Sequence, residues 1–134
     1  MSIANTCVLI AAVMPAITMG LAKGASAGKR RSEGGYDNNN PRAWAARQEG
    51  WKARATAAQS NGFEILPLFV FAVLAAQAAG LDQARTDHLA MAFIASRLVY
   101  TGLYLANIAA LRSLVWAVGL GCAIAMFAPT LSLG

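Results

Sequence analysis

Apolar residues gather along this chain in four long blocks, each about 20 residues, the length a helix needs to cross a bilayer. They cover residues 3–22, 54–79, 89–107 and 113–133. The first, "IANTCVLIAAVMPAITMGLA", has no basic residue ahead of it, unlike a secretory leader. It reads as an uncleaved helix that Pro15 is expected to kink. Residues 23–53 form the one long polar segment. Its part "KGASAGKRRSEGGYDNNNPRAW" is rich in turn formers and reads as a loop. From Pro41, "PRAWAARQEGWKARA" places proline in a first helical turn ahead of good helix formers. The second helix is therefore expected to begin outside the membrane, with Trp44 and Trp51 at the interface. "LDQARTDH" is a short polar turn, although the third helix can start as early as Asp82. A tight turn at 110–112 leads to the fourth helix, with Pro129 near its end.

Composition turns this pattern into a class. The chain has 134 residues, is 57% hydrophobic and only 13% charged, far below the charged quarter of soluble domains. It reads as an all-α integral membrane protein, one domain over 1–134 with four transmembrane helices. Of the eleven Lys and Arg residues, eight lie between Lys23 and Arg54, and the 80–88 turn has only Arg85. By the positive-inside rule the basic loop is cytoplasmic and both termini face outward. The loop reads as an orientation signal that can touch anionic lipid rather than as a nucleic-acid module. Cys7 and Cys122 lie in different apolar blocks without metal-type spacing, and read as small core residues more readily than as a disulfide. His88 is the one histidine, in the expected turn, so no His-rich metal site is available.

Polar residues inside the spans change the picture again, because such groups are costly in lipid and line bundle interiors. At 100° per residue, Arg54, Asn61 and Glu64 share an arc of roughly 80° on the second helix. Arg97, Tyr100, Tyr104 and Asn107 share an arc of roughly 80° on the third. Setting 54 and 107 as the level cytoplasmic ends puts Glu64 and Arg97 both about 15 Å deep. Asn61 then lies level with Tyr100, and Arg54 with Asn107. One reading is a structural Glu64–Arg97 ion pair that fixes helix register. The other is a cradle for a charged, hydrogen-bonding ligand entering from the cytoplasm, which the two tyrosines, two amides and second arginine favour.

These residues resemble a known family. "RATAAQSNGFEILPLF" is similar to the second-helix Asn-x-x-Glu-x-x-Pro signature of membrane-associated proteins in eicosanoid and glutathione metabolism (MAPEG). "SRLVYTGLYLANIAALRSLVW" is similar to their third-helix Arg-x-x-Tyr-x-x-x-Tyr run and the arginine that follows. The likeness spans nearly the whole chain and is of the bacterial, microsomal glutathione transferase type. It implies a homotrimer of four-helix bundles in a bacterial inner membrane, with glutathione bound between subunits near the cytoplasmic face. Carried over by motif, Asn61, Glu64, Arg97, Tyr100 and Tyr104 would hold glutathione. Gln59 would reach it from the adjacent subunit, and Arg54 matches a commonly basic position. Arg112 would stabilise the glutathione thiolate, with Ser113 beside it as in the microsomal prostaglandin E synthase branch. Arg112 also reads as a snorkelling interfacial arginine.

The chemistry suits glutathione, whose two carboxylates and ammonium need arginines and a carboxylate, and whose thiol is acidified by a guanidinium. The implied activity is conjugation or reduction of hydrophobic, bilayer-dissolved electrophiles, with no metal. Two departures stand out. Ala57 lies where several members carry an arginine, a role left to Arg47, Lys52 or another loop cation. The Tyr104–Arg112 spacing is intermediate among branches. The alternative is a non-catalytic binding or accessory subunit of a larger membrane complex, since at least one branch binds lipid without catalysis. A small transporter is a third reading, but the chain shows neither inverted repeat nor broken helix.

Overall fold

A computed structural model describes residues 2–132. Five α-helices follow one another: α1 (Ile3–Gly24), α2 (Pro41–Ala46), α3 (Gly50–Ala78), α4 (Gln83–Leu105) and α5 (Ala109–Phe127). Short 3-10 turns cover Arg31–Glu33 and Ala128–Ser132. Four helices, α1, α3, α4 and α5 with its 3-10 extension, are long and apolar enough to cross a membrane. The chain is thus an all-helical, four-span membrane bundle. Residue 133, the expected end of the last span, lies outside the described residues.

The helices start and stop where local chemistry dictates. The α3–α4 turn closes as a Schellman motif, with the Gly80 N–H donating to the Gln77 carbonyl and the Leu81 N–H to that of Ala76. Gly80 takes the left-handed φ of 66° this needs. Asp82 then caps α4, accepting from the Arg85 N–H at 2.8 Å. His88 therefore sits on the exposed first turns of α4 rather than in a loop. At its far end α4 closes the same way on Asn107, at φ 63°. Asparagine tolerates that conformation, so Asn107 ends the helix instead of continuing its polar face.

α3 and α4 form the centre of the bundle, each packing on the other and on both α1 and α5, while the α1 and α5 backbones do not approach closely. Phe69 and Phe93 stack at 3.9 Å between ring centroids, surrounded by Ala4, Cys7, Val73, Ala90 and Met126. Small residues bring the backbones close, as apolar helices in lipid require. A Cβ added at Gly62 would fall 2.7 Å from the Pro15 ring, and one at Gly119 would fall 2.6 Å from Ser96 Oγ. α1 runs through Pro15 as one helix, and this buried ring meets Gly62. At the end away from the basic loop, Asp87 of α4 caps α1 by accepting from the Ala4 N–H at 2.8 Å. Gln77 of α3 donates to Ser2 and Asn5 there.

The basic segment is more ordered than a solvated loop. Trp44 is buried, against the expectation that it sits in the interfacial belt. Its indole donates to the Gly34 carbonyl at 3.3 Å, and Tyr36 meets it edge-on. Met19, Ala22 and Ala55 complete this second core, which the loop needs because its other side chains are mostly small or polar. Lys23 lies over the Tyr36 ring, and Lys52 donates to Ser26 Oγ at 2.8 Å. The helix begun at Pro41 also stops at Ala46, where the Gln48 amide takes up the Trp44 carbonyl. A new helix starts at Gly50, whose φ of 58° turns the chain. On the surface, hydrogen bonds from Asn40 and Asn39 hold the Asp37 carboxyl below its ordinary range, with Arg31 beside it.

The Gly62–Pro15 contact has a direct test. Gly62→Ala forces a methyl into a rigid ring and is expected to cost about 1–3 kcal/mol. Gly102→Ala, where an added Cβ meets nothing within 4 Å, is expected to be neutral or stabilising by up to about 1 kcal/mol. Thermal melts of both variants in one detergent read the contrast.

Candidate functional site

The centre of the polar face is a buried guanidinium. Arg97 on α4 is 4% exposed. Its Nη2 donates to Asn61 Oδ1 of α3 at 2.9 Å, and its Cζ lies 4.1 Å from the centroid of the Tyr100 ring. Nη1 is buried without a hydrogen-bond partner. Gly119 lets α5 pass close by, since a side chain there would meet Ser96 and the Arg97 stem. From Arg97 a row of contacts runs toward the loop end. Tyr100 meets Tyr104 edge-on at 5.6 Å, and the Arg112 guanidinium of α5 lies 4.2 Å from the Tyr104 centroid. Two cations thus bracket two aromatic faces.

The expected Glu64–Arg97 ion pair does not form. Among the described residues the only ion pair joins Arg31 and Asp37, at 3.5 Å. The reason is register. Arg54 Nε and Nη2 both donate to the Leu105 carbonyl, at 3.2 and 3.1 Å, so the clasp falls on 105 and not on Asn107. Arg97 bonds Asn61, about one helical turn nearer the loop end of α3 than Glu64. Arg54 thereby holds the C-terminal end of α4, where a cation also suits the helix dipole. It does not line the recess described next.

Asn61, Tyr100, Tyr104, Arg112, Ser113 and Trp116 enclose a recess of about 210 Å³ open to the bundle surface. The Ser113 hydroxyl donates to the Ala109 carbonyl at 3.2 Å. A second recess of about 210 Å³ continues along the groove, lined by Asn61, Glu64, Ile65, Leu68, Trp116 and Leu120. Asn61 and Trp116 belong to both. Glu64 is exposed on the face of the single chain at a depth where lipid would otherwise meet it. Gln59, two residues from Asn61 and so roughly 200° around α3, lines a separate recess of about 190 Å³. Lys23, Pro41, Arg42 and Ala45 line that recess with it.

Seven of the nine residues singled out from sequence therefore gather on one α3–α4–α5 surface: Asn61, Glu64, Arg97, Tyr100, Tyr104, Arg112 and Ser113. Arg54 and Gln59 do not. Trp116 escaped the sequence reading, although Arg112, Trp116 and Leu120 follow the four-residue spacing of one helix face. Cys7 and Cys122 are free thiols. Among the described residues no group of three His, Cys, Asp or Glu side chains could hold a metal ion.

Fold and site together define an integral membrane bundle whose polar recess opens beside an apolar groove. The chain matches the model of the MAPEG family over residues 3–132, nearly its full length, and belongs to that family. No curated protein and no solved structure matches it. Membership supports a glutathione-related transferase, peroxidase or related function at the level of the family.

The Arg97 geometry carries its own test. Asn61→Ala removes a hydrogen bond to a buried charge and is expected to cost about 1.5–3 kcal/mol. A double-mutant cycle with Arg97→Met should give a coupling of about 0.5–3 kcal/mol for Asn61. The cycle for Glu64→Gln with Arg97→Met should give less. Equal couplings in the two cycles would show that Asn61 is not the preferred partner.

Proposed function

We propose that this protein uses glutathione to conjugate or reduce hydrophobic electrophiles drawn from the bilayer. The observation that carries this reading is Arg112, poised over Tyr104 at a polar recess that continues into an apolar groove. Glutathione lies in the polar recess, its ammonium met by Glu64 and a carboxylate by the Asn61 amide N–H, with its sulfur toward Arg112. Its thiol loses a proton to water at the loop-side opening. The guanidinium favours the resulting thiolate, and the Ser113 hydroxyl rotates from the Ala109 carbonyl to donate to sulfur. With an aryl or alkyl halide, sulfur attacks carbon, the S–C bond forms, and halide leaves with the bonding pair. With a hydroperoxide, sulfur attacks oxygen, the O–O bond breaks, and the alkoxide takes a proton. A second glutathione then displaces water from the sulfenic acid and forms the disulfide.

The exposed Glu64 and the remote Gln59 support assembly. Gln59 lies on a different face of α3 from Asn61 and Glu64, in one recess with Lys23 of α1 and Arg42 of α2. Joining these unlike faces needs a heterologous interface, which forms a ring when its rotation closes. A homotrimer with glutathione between subunits satisfies this and covers Glu64. Arg42 or Lys23 then supplies the cation that Ala57 lacks, since Lys52 is bound to Ser26. The concentration of basic residues between Lys23 and Arg54 supports a cytoplasmic loop and outward termini, in a membrane we take to be a bacterial inner one. A binding or accessory subunit is the second reading, favoured by the absence of histidine from the recess lining as a proton acceptor.

Arg112→Ala decides between them. If the guanidinium acidifies the thiol by two pKa units, its loss leaves roughly a hundredfold less thiolate below both pKa values. Single-turnover kinetics with 1-chloro-2,4-dinitrobenzene should fall by about that factor, while calorimetric glutathione affinity changes little. Wild type that binds glutathione with neither a thiolate absorbance band nor turnover at any accessible pH would make this protein a binder. Native mass spectrometry in several mild detergents should show trimers, and a persistent monomer would remove the shared site.

A further inference from the structure

Trp116 lies on the α5 face that carries Arg112 one turn earlier and Leu120 one turn later. It borders both the polar recess and the apolar groove, a position it shares only with Asn61. Its side is 38% exposed, and its indole N–H makes no hydrogen bond among the described residues, in contrast to Trp44. An indole that merely marks the membrane interface sits at the helix end. Trp116 lies seven residues beyond the start of α5, about 10 Å deeper at helical rise. Lipid contact alone needs no aromatic there, because an aliphatic side chain such as Leu120 serves equally well.

We propose that Trp116 is a specificity-determining residue: an aromatic platform on which a planar, electron-poor electrophile lies with its reactive carbon toward the thiolate at Arg112. The substrate class is activated aryl halides and conjugated, ring-bearing electrophiles rather than saturated alkyl ones. The proposal rests on the glutathione-dependent reading above. Three features support it. The indole face is electron-rich and stacks in offset fashion on an electron-poor ring. The free N–H can donate to a nitro or carbonyl oxygen of the bound ring. The apolar side of the groove, Ile65, Leu68 and Leu120, accepts the remainder of a lipid-soluble molecule without any polar group to satisfy. Arg112, a turn nearer the opening, keeps the thiolate at the edge of the platform.

The test compares wild type, Trp116→Leu and Trp116→Phe in detergent with saturating glutathione. The electrophiles are 1-chloro-2,4-dinitrobenzene, which is planar, and 1-iodohexane, which is saturated. Trp116→Leu is expected to lower kcat/KM for the planar compound by up to about tenfold, the upper end of one aromatic pair. Its kcat/KM for 1-iodohexane, at glutathione saturating for the variant, should stay within about twofold of the wild-type value, and the ratio of the two electrophiles is the readout because Trp116 also walls the glutathione recess. Trp116→Phe, which keeps a ring, should recover most of the loss. An equal fall for both electrophiles, or no change in their ratio, overturns the platform. A second measurement is independent of turnover. Unreactive 1,3-dinitrobenzene should quench wild-type fluorescence with a saturable component that Trp116→Leu lacks. Saturable quenching without turnover in wild type would support the platform while removing the catalytic reading. No saturable quenching in wild type would overturn the platform whether or not turnover is found.

Discussion

A guanidinium buried in an apolar bundle has to be satisfied by whatever the neighbouring helices present, and Arg97 imposes this demand on the whole structure. Stranding such a charge costs several kcal/mol, so α3 and α4 settle where Asn61 and the Tyr100 ring can meet it. The Arg54 clasp on the Leu105 carbonyl holds the same register from the helix ends. Once that register is set, Asn61 has one face toward Arg97 and one toward the recess. Glu64, one turn on, is left outside the pair. The remaining buried Nη1 shows that the satisfaction is incomplete within the single chain.

Close backbone approach makes that arrangement possible on both flanks of the central pair. Gly62 admits the Pro15 ring of α1, one residue from Asn61, and Gly119 admits Ser96, next to Arg97. Each glycine lies beside a residue of the polar row. Packing and chemistry are therefore coupled: a helix pushed outward at either place would move Asn61 or Arg97 as well. Because the α1 and α5 backbones do not approach closely, the α3–α4 pair between them carries the geometry of the site.

The recesses divide the chain's surface by chemistry. One carries Arg112, Ser113 and the tyrosine ring faces, the next is largely aliphatic with Glu64 at its margin, and a third gathers Lys23, Arg42 and Gln59. Buried Trp44 anchors α2, and with it Arg42, over the third. A loop whose charges serve only to orient the chain would need no core of its own. The order of this segment ties a basic surface to a fixed place beside α3.

How much was legible in the sequence divides along the range of the forces involved. Spanning length and block hydropathy are properties of consecutive residues, so the four helices and the membrane class could be read directly. So could the polar arcs, because helical periodicity alone places Asn61 with Glu64 and Arg97 with Tyr100 and Tyr104. Motif order along one chain likewise pointed to the MAPEG family, to which the chain belongs. Relative position along neighbouring helices is not a local property. Depth counted from 54 and 107 paired Glu64 with Arg97, whereas in the packed bundle Arg54 holds the carbonyl of 105 and Arg97 meets Asn61. Trp44 looked interfacial because tryptophan prefers that zone, until Tyr36 and Gly34 folded back over it. Trp116 read as one more apolar residue of α5, and only the packing of α5 against α3 and α4 set it at the junction of two recesses. Sequence determined which groups must avoid lipid; tertiary packing decided which of them meet, since that depends on contacts between segments far apart in the chain.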